Sequence, residues 1–185
     1  MSIVLASASP RRLELMHLIT DDFKVIPADV EEVLPDEIGA FESAEFLACL
    51  KAKSVAATQP DAIVIGCDTV VIVDDEVLGK PRSDEDAAQM LRKLSGREHF
   101  VVTGCCICRN DKVYSFSEKT SVIFYDLTEK EIEDYIATGE CKDKAGSYGI
   151  QGRGALLVKS IAGDYFNVVG MPVSRLKREL ENFSL

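Results

Sequence analysis

The stretch Ala62 to Val73, AIVIGCDTVVIV, constrains the fold more than any other part of the chain. It is a long apolar run rich in β-branched residues, which reads as a central strand, and it is broken once, by Asp68. Burying an unpaired carboxylate in such a strand would be costly. Asp68 is therefore either a structural aspartate held by backbone donors or a carboxylate at a strand end facing a cleft. In the second case it can hold a divalent metal or take a proton from water.

Around this run, short strand-like segments alternate with helical ones, the pattern of a layered α/β domain. Ser2 to Leu5 reads as a short buried strand, and Arg11 to Leu18 as a helix capped by Ser9 with Pro10 in its first position. A second strand is expected near Phe23 to Ile26. Ser43 to Ala57 is expected to be helical, with Phe46, Leu47 and Leu50 on one face. Ser83 marks the start of a further helix, with Ala87, Leu91 and Leu94 spaced along one side and Gly96 stopping it. His99 to Arg109 and Lys112 to Phe124 read as a hairpin around Asn110-Asp111. Thr128 and Glu131 form a capping box for a helix ended by Gly139. A glycine-rich turn (146–154), a strand from Leu156 to Ile161 and a helix from Pro172 to about Asn182 complete the chain. With 185 residues and no repeat or linker, a single domain spanning 1–185 is expected.

A formal charge of −10 argues against a nucleic-acid or anionic-membrane partner, since both need a broad basic surface. A small polyanion stays compatible if a few cations converge. No apolar run approaches the ~18 residues of a membrane span, and none resembles a secretory signal. Six cysteines without such a signal suggest reduced thiols and a cytoplasmic location. Cys105, Cys106 and Cys108 lack the spacing of a zinc or redox motif, and only His17 and His99 could supplement them, so packing in strands is expected.

Several segments could carry chemistry. Ser7-Ala8-Ser9-Pro10-Arg11-Arg12 joins a strand end, two hydroxyls and a helix start to two arginines. That suits an anion, although a capped helix with two solvated arginines is equally compatible. Lys80, in Gly79-Lys80-Pro81, is either held in a stiffened loop or an ordinary turn lysine. Lys51 sits beside the apolar face of its helix, where it can snorkel to solvent or point into a cleft. The loop Asp143 to Gly152 is dense in small residues and either wraps a ligand, with Gln151 for a base edge, or is a simple connection. Together, four cations, a strand-end aspartate and two glycine-bearing loops suit a metal-bound triphosphate. They leave open which bond breaks.

The same segments, in this order, resemble the Maf family of nucleotide pyrophosphatases. The resemblance rests on residues 7–12, Leu47-Ala48 with Lys51-Ala52, Gly66-Cys67-Asp68-Thr69-Val70-Val71, Gly79-Lys80-Pro81 and Leu94-Ser95-Gly96-Arg97. It continues through Asp143-Lys144-Ala145-Gly146, Tyr148 to Gly152, Gly163-Asp164-Tyr165 and Val169-Gly170-Met171-Pro172. Two positions depart from the family pattern: Cys67 stands where a small alanine is usual and Cys141 where proline is common.

The resemblance implies an α/β fold with an elongated mixed β-sheet flanked by helices and a central cleft, similar to inosine triphosphatase, in a homodimer. It implies hydrolysis of a nucleoside triphosphate to the monophosphate and pyrophosphate. Asp68 would be the catalytic proton acceptor, and Ser7, Arg12, Glu31, Lys51 and Lys80 would bind substrate. Arg11, Thr69 and Gln151 would mark the branch acting on dTTP and UTP. A divalent cation, Mg²⁺ or Mn²⁺, would be held by Asp68 with Glu31. The alternatives are a 7-methyl-GTP pyrophosphatase, a non-catalytic nucleotide-binding regulator of septum formation, and a phosphatase releasing orthophosphate stepwise.

Overall fold

In the computed structural model, which describes residues 2–184, the apolar run forms β3 (Ile63–Val73), buried along nearly its whole length. Strand β1 (Ile3–Leu5) lies parallel beside it with Val4 opposite Val64, and β2 (Lys24–Val25) lies parallel on the far side of β1. Parallel neighbours need crossover connections. Helices α1 (Pro10–Met16) and α2 (Ala40–Ala56) supply them. Strands β5 (Glu98–Arg109) and β6 (Lys112–Phe124) follow in the sheet, and β7 (Val158–Ala162) pairs antiparallel with β6. Strand β4 (Glu76–Leu78) folds back antiparallel on the end of β3. The result is a mixed seven-stranded sheet of order β2-β1-β3-β5-β6-β7, with β4 attached to β3. Helices α3 (Asp84–Leu94), α4 (Glu129–Ala137), α5 (Tyr165–Val169) and α6 (Val173–Ser184) complete the α/β architecture.

The chain forms two compact units. One comprises residues 1–69, 103–118 and 170–185; the other comprises 70–102 and 119–169. In the first, Val4, Ala6, Val64, Ala48, Ala52 and Val55 build a core between α2 and the strands. In the second, Leu91, Leu94, Val101, Val122, Phe124 and Ile132 do so around α3 and α4.

Several boundaries differ from the sequence expectation. Helix α1 ends at Met16, with Leu18 in the following turn, so it spans only seven residues. Strand β4 is unexpected. It arises because Asp74 and Asp75 both take left-handed backbone angles (φ 53 and 58), closing a turn that sends the chain straight back. The face of α2 also needs correcting. Ser43, Ala44, Leu47, Ala48, Ala52 and Val55 are buried, whereas Phe46 and Leu50 are only half-buried. Small residues face the sheet because Gly66 and Gly104 let the helix backbone come very close. A methyl added at Gly66 would lie 2.3 Å from the Ala48 carbonyl oxygen, and one at Gly104 would lie 2.3 Å from that of Ala44.

The second unit contains a buried aromatic cluster of His99, Phe124 and Tyr148. The His99 Nε2 atom is 2.7 Å from the Tyr148 hydroxyl. Burial, partly offset by a hydrogen bond with the Arg97 backbone, lowers the His99 pKa to about 4. The neutral ring is thus favoured in the folded state, while the unfolded chain titrates near 6.5. Between those values the unfolded state binds the extra proton, so stability is full above about pH 6.5 and is lost as pH falls towards 4. The expected loss is on the order of 3 kcal/mol. Urea unfolding at pH 7.5, 5.5 and 4.5 checks this, and His99→Gln should flatten the dependence in that window.

Candidate active site

Asp68 lies near the middle of β3 and is 8% exposed, so its charge needs a partner. Lys51 is that partner: Nζ donates to Asp68 Oδ1 at 2.6 Å and lies 2.9 Å from Glu32 Oε2. The Lys51 side chain is itself largely enclosed, at 13% exposure. Its placement follows from the glycine packing. Lys51 sits between Ala48 and Ala52, and Ala48 and Ala52 are the residues whose backbone rests against Gly66, two positions before Asp68. Of the alternatives for Lys51, pointing inward is the one adopted. Of those for Asp68, the partner is a cation rather than a set of backbone donors.

The opening turn forms a second cluster. Ser9 caps α1 through its side chain, accepting from the Arg12 backbone N–H, and Ser7 Oγ accepts from the Ser9 N–H. These amides already have acceptors inside the turn, so its attraction for an anion comes chiefly from the arginines. Arg12 is not solvated but clamped. Its Nε donates to the Gly170 carbonyl at 2.9 Å, Nη2 to Thr69 Oγ1 at 2.9 Å, and Nη1 to Ser7 Oγ at 3.4 Å. A guanidinium carries five N–H groups, so this arrangement fixes its plane and leaves two for an incoming anion. Gly170 has φ 132, a backbone angle that side-chain-bearing residues rarely adopt, and it accepts from Arg12 in that conformation. The Thr69 hydroxyl is also 2.8 Å from Thr103 Oγ1. Arg11 is half-buried on the same turn.

The two clusters are joined through the chain, because Asp68 and Thr69 are consecutive on β3. The structure thus brings Ser7, Arg12 and Thr69 into one hydrogen-bonded group and Lys51 with Asp68 into an ion pair. Glu31 is exposed, and the glutamate on Lys51 is its neighbour Glu32. Sequence reasoning also missed Thr103 and the Gly170 carbonyl. For Glu32 the signal was the acidic pair itself. For the other two, only the Val169-Gly170-Met171-Pro172 motif hinted at a constrained backbone.

Lys80 and Gln151 belong to the second unit, and both are exposed. Their loops are tied together there, since the Gly146 N–H donates to the Gly79 carbonyl at 3.0 Å. The loop holding Gln151 is pinned at several points. The Gly149 N–H donates to the Tyr135 hydroxyl at 3.2 Å, and the Arg153 N–H donates to Glu140 at 3.0 Å. It is an ordered loop rather than a slack connection.

Among the described residues no three His, Cys, Asp or Glu side chains cluster as a metal cage. Mg²⁺ characteristically takes one or two carboxylates and completes its shell with water and substrate phosphates. Asp68 with a glutamate of the 31–32 pair fits that shared mode and not a site made wholly of protein.

Solved structures of the same architecture include a HAM1 protein from Coxiella burnetii, with TM-score 0.54 and 17% identity over 98% of this chain and 99% of that one. The Staphylococcus aureus Ham1 protein matches with TM-score 0.51 and 24% identity over 68% of this chain and 73% of that one. The fold is therefore of the HAM1 class, as the resemblance implied. The Maf-like protein family matches residues 2–183, and the chain belongs to it. Its relatives include a dTTP/UTP pyrophosphatase of a Geobacillus species, 52% identical over 97% of this chain and 96% of the relative. One from Bacillus cereus is 49% identical over 99% and 96%, and one from Bacillus velezensis is 48% identical over 99% and 97%.

Proposed function

We propose that this protein is a nucleoside triphosphate pyrophosphatase that hydrolyses dTTP and UTP to the monophosphate and pyrophosphate. The observation that carries the reading is the enclosed Lys51–Asp68 pair, one residue along β3 from the threonine that clamps Arg12. A poised carboxylate and a fixed guanidinium are what hydrolysis of a polyphosphate requires, and relatives at about half identity bear the dTTP/UTP name.

In this mechanism water attacks the α phosphorus in line with the departing pyrophosphate. Lys51 holds Asp68 through Oδ1, and Asp68 takes the proton of the attacking water on Oδ2. Arg12, Lys51 and Lys80 neutralise the phosphate oxygens, with Ser7 fixing the guanidinium. A cation such as Mg²⁺ or Mn²⁺, shared by Asp68, Glu31 and the triphosphate, would supply further charge neutralisation for the leaving pyrophosphate. Arg11, Thr69 and Gln151 select the nucleotide. Because the Thr69 hydroxyl is bonded to Arg12, its influence runs through the orientation of that guanidinium, while Gln151 offers a donor and an acceptor to the pyrimidine edge.

A nucleotide panel with separate detection of pyrophosphate and orthophosphate tests the proposal. Turnover of dTTP and UTP should exceed that of 7-methyl-GTP, with one pyrophosphate per monophosphate. Orthophosphate should appear only after inorganic pyrophosphatase is added. Preference for 7-methyl-GTP would overturn the specificity, and direct orthophosphate release would overturn the reaction. Binding of dTTP without turnover would favour a regulator.

A further inference from the structure

Five of the six thiols in this chain fall into two groups that the proposed reaction does not use, with Cys141 buried apart from them. On β5, Cys106 and Cys108 share one face, as residues two apart on a strand do, with their sulfurs 3.6 Å apart. That face packs against α2, where Cys49 hydrogen-bonds to Cys106. Cys106 and Cys108 are buried, but Cys49 is partly exposed. Cys105 points the other way and lies 3.6 Å from Cys67, both fully enclosed. The chain therefore carries one thiol cluster open to solvent at a single member, and one closed pair.

We propose that Cys49 is a peroxide-reactive thiol, with Cys106 as the partner that resolves it into a disulfide. A reactive cysteine needs access, thiolate character and a second thiol within reach. Access comes from its position on α2 and the second thiol from β5. Its thiolate is favoured chiefly by the hydrogen bond from Cys106, then by one from Ser115 and by the nearby Lys53 cation, against the opposing effects of burial and of Glu45, giving a pKa lowered to about 6. In the closed pair, burial pushes the Cys105 thiol well up, while the hydrogen bond from Cys105 outweighs burial and lowers Cys67, so it is enclosure rather than protonation that sets this pair apart from Cys49.

The chemistry balances with hydrogen peroxide as oxidant. The Cys49 thiolate attacks the O–O bond, an S–O bond forms, and hydroxide leaves to become water on protonation. The Cys106 sulfur then attacks Cys49, forming the S–S bond as the S–O bond breaks. The second hydroxide leaves with the Cys106 proton as water. Two thiols lose two electrons in total, and one peroxide is reduced to two waters. The bridge would tie α2 to β5.

The test uses the intact, folded protein. Limiting iodoacetamide between pH 5 and 9, followed by peptide mass spectrometry, should label Cys49 first, with a half-maximal rate near pH 6. It should react roughly tenfold or more faster than Cys67 and Cys105. Stoichiometric hydrogen peroxide should yield a peptide linking Cys49 to Cys106. That link should persist in Cys108→Ser and vanish in Cys106→Ser, where dimedone should trap a sulfenic acid on Cys49. The proposal is overturned if Cys49 is not the first thiol labelled, or if peroxide produces a Cys67–Cys105 bridge or no Cys49–Cys106 bridge. Bridge mapping in the unsubstituted protein decides the matter even if Cys106→Ser does not fold.

Discussion

Replacing Asp68 with asparagine is expected to lower kcat for dTTP roughly 10³-fold, the range a positioned general base contributes, with little change in thermal stability. Asparagine has almost the same shape and retains an oxygen able to accept from Lys51, so the packing of β3 and α2 is undisturbed. It cannot take a proton from water. Lys51 also keeps Glu32 as a charged partner 2.9 Å away, which limits the cost of losing one carboxylate. The split between kinetic constants is informative. A base lost from the transition state lowers kcat and kcat/KM together, whereas loss of a residue that merely positions Lys51 would mainly raise KM. Lys51→Met is the complementary variant. It leaves Asp68 enclosed without its cation, so it should reduce both activity and stability. Steady-state kinetics and thermal melts of the two variants separate these outcomes, and wild-type kcat in Asp68→Asn would remove Asp68 from the chemistry.

How far such a site can be read from sequence depends on the range of the contacts that make it. Asp68 stands out because a single carboxylate interrupts an apolar run, a purely local signal. The capping roles of Ser9 and Thr128 are local too, and both occur in the structure. Lys51 was legible as a cation beside an apolar face, but its partner, seventeen residues away, was not. Gly170 is further still, 158 positions from the Arg12 it anchors, and no pattern around Arg12 announces that bond. The buried face of α2 was misjudged for the same reason. Helical periodicity favours Phe46 and Leu50, whereas the sheet selects alanines because two glycines on other strands leave no room for anything larger. Candidate residues were thus picked out by type and order, and their geometry came from partners distant in the chain.

Those glycines give the second large effect. Gly66→Ala and Gly104→Ala should each destabilise the protein by about 1–3 kcal/mol or more, the range for overpacking a well-filled interior. For a chain of this size that corresponds to a fall in Tm of roughly 2–12 °C. The reason lies in what the new methyl group meets. At Gly66 the contacts are the Ala48 carbonyl oxygen at 2.3 Å and the Ala52 backbone nitrogen at 2.8 Å; at Gly104 they are the Ala44 carbonyl and the Glu45 Cα, all within 2.4 Å. These are backbone atoms, so no side-chain rotation can relieve the overlap and α2 must move. Adding Ala52→Gly removes only the methyl contact at 2.9 Å, and it should not rescue Gly66→Ala. Gly79, where an added methyl has nothing within 4 Å, is the control, with stability expected within about 0.5 kcal/mol of wild type. Movement of α2 carries Lys51 with it. Gly66→Ala should therefore lose activity well below its melting temperature, since a shift of about 1 Å in a positioning group can cost around 10²-fold in rate. Thermal melts and kinetics at 20 °C test both halves. A folded Gly66→Ala protein with wild-type kcat would show that the Lys51–Asp68 pair does not depend on this packing.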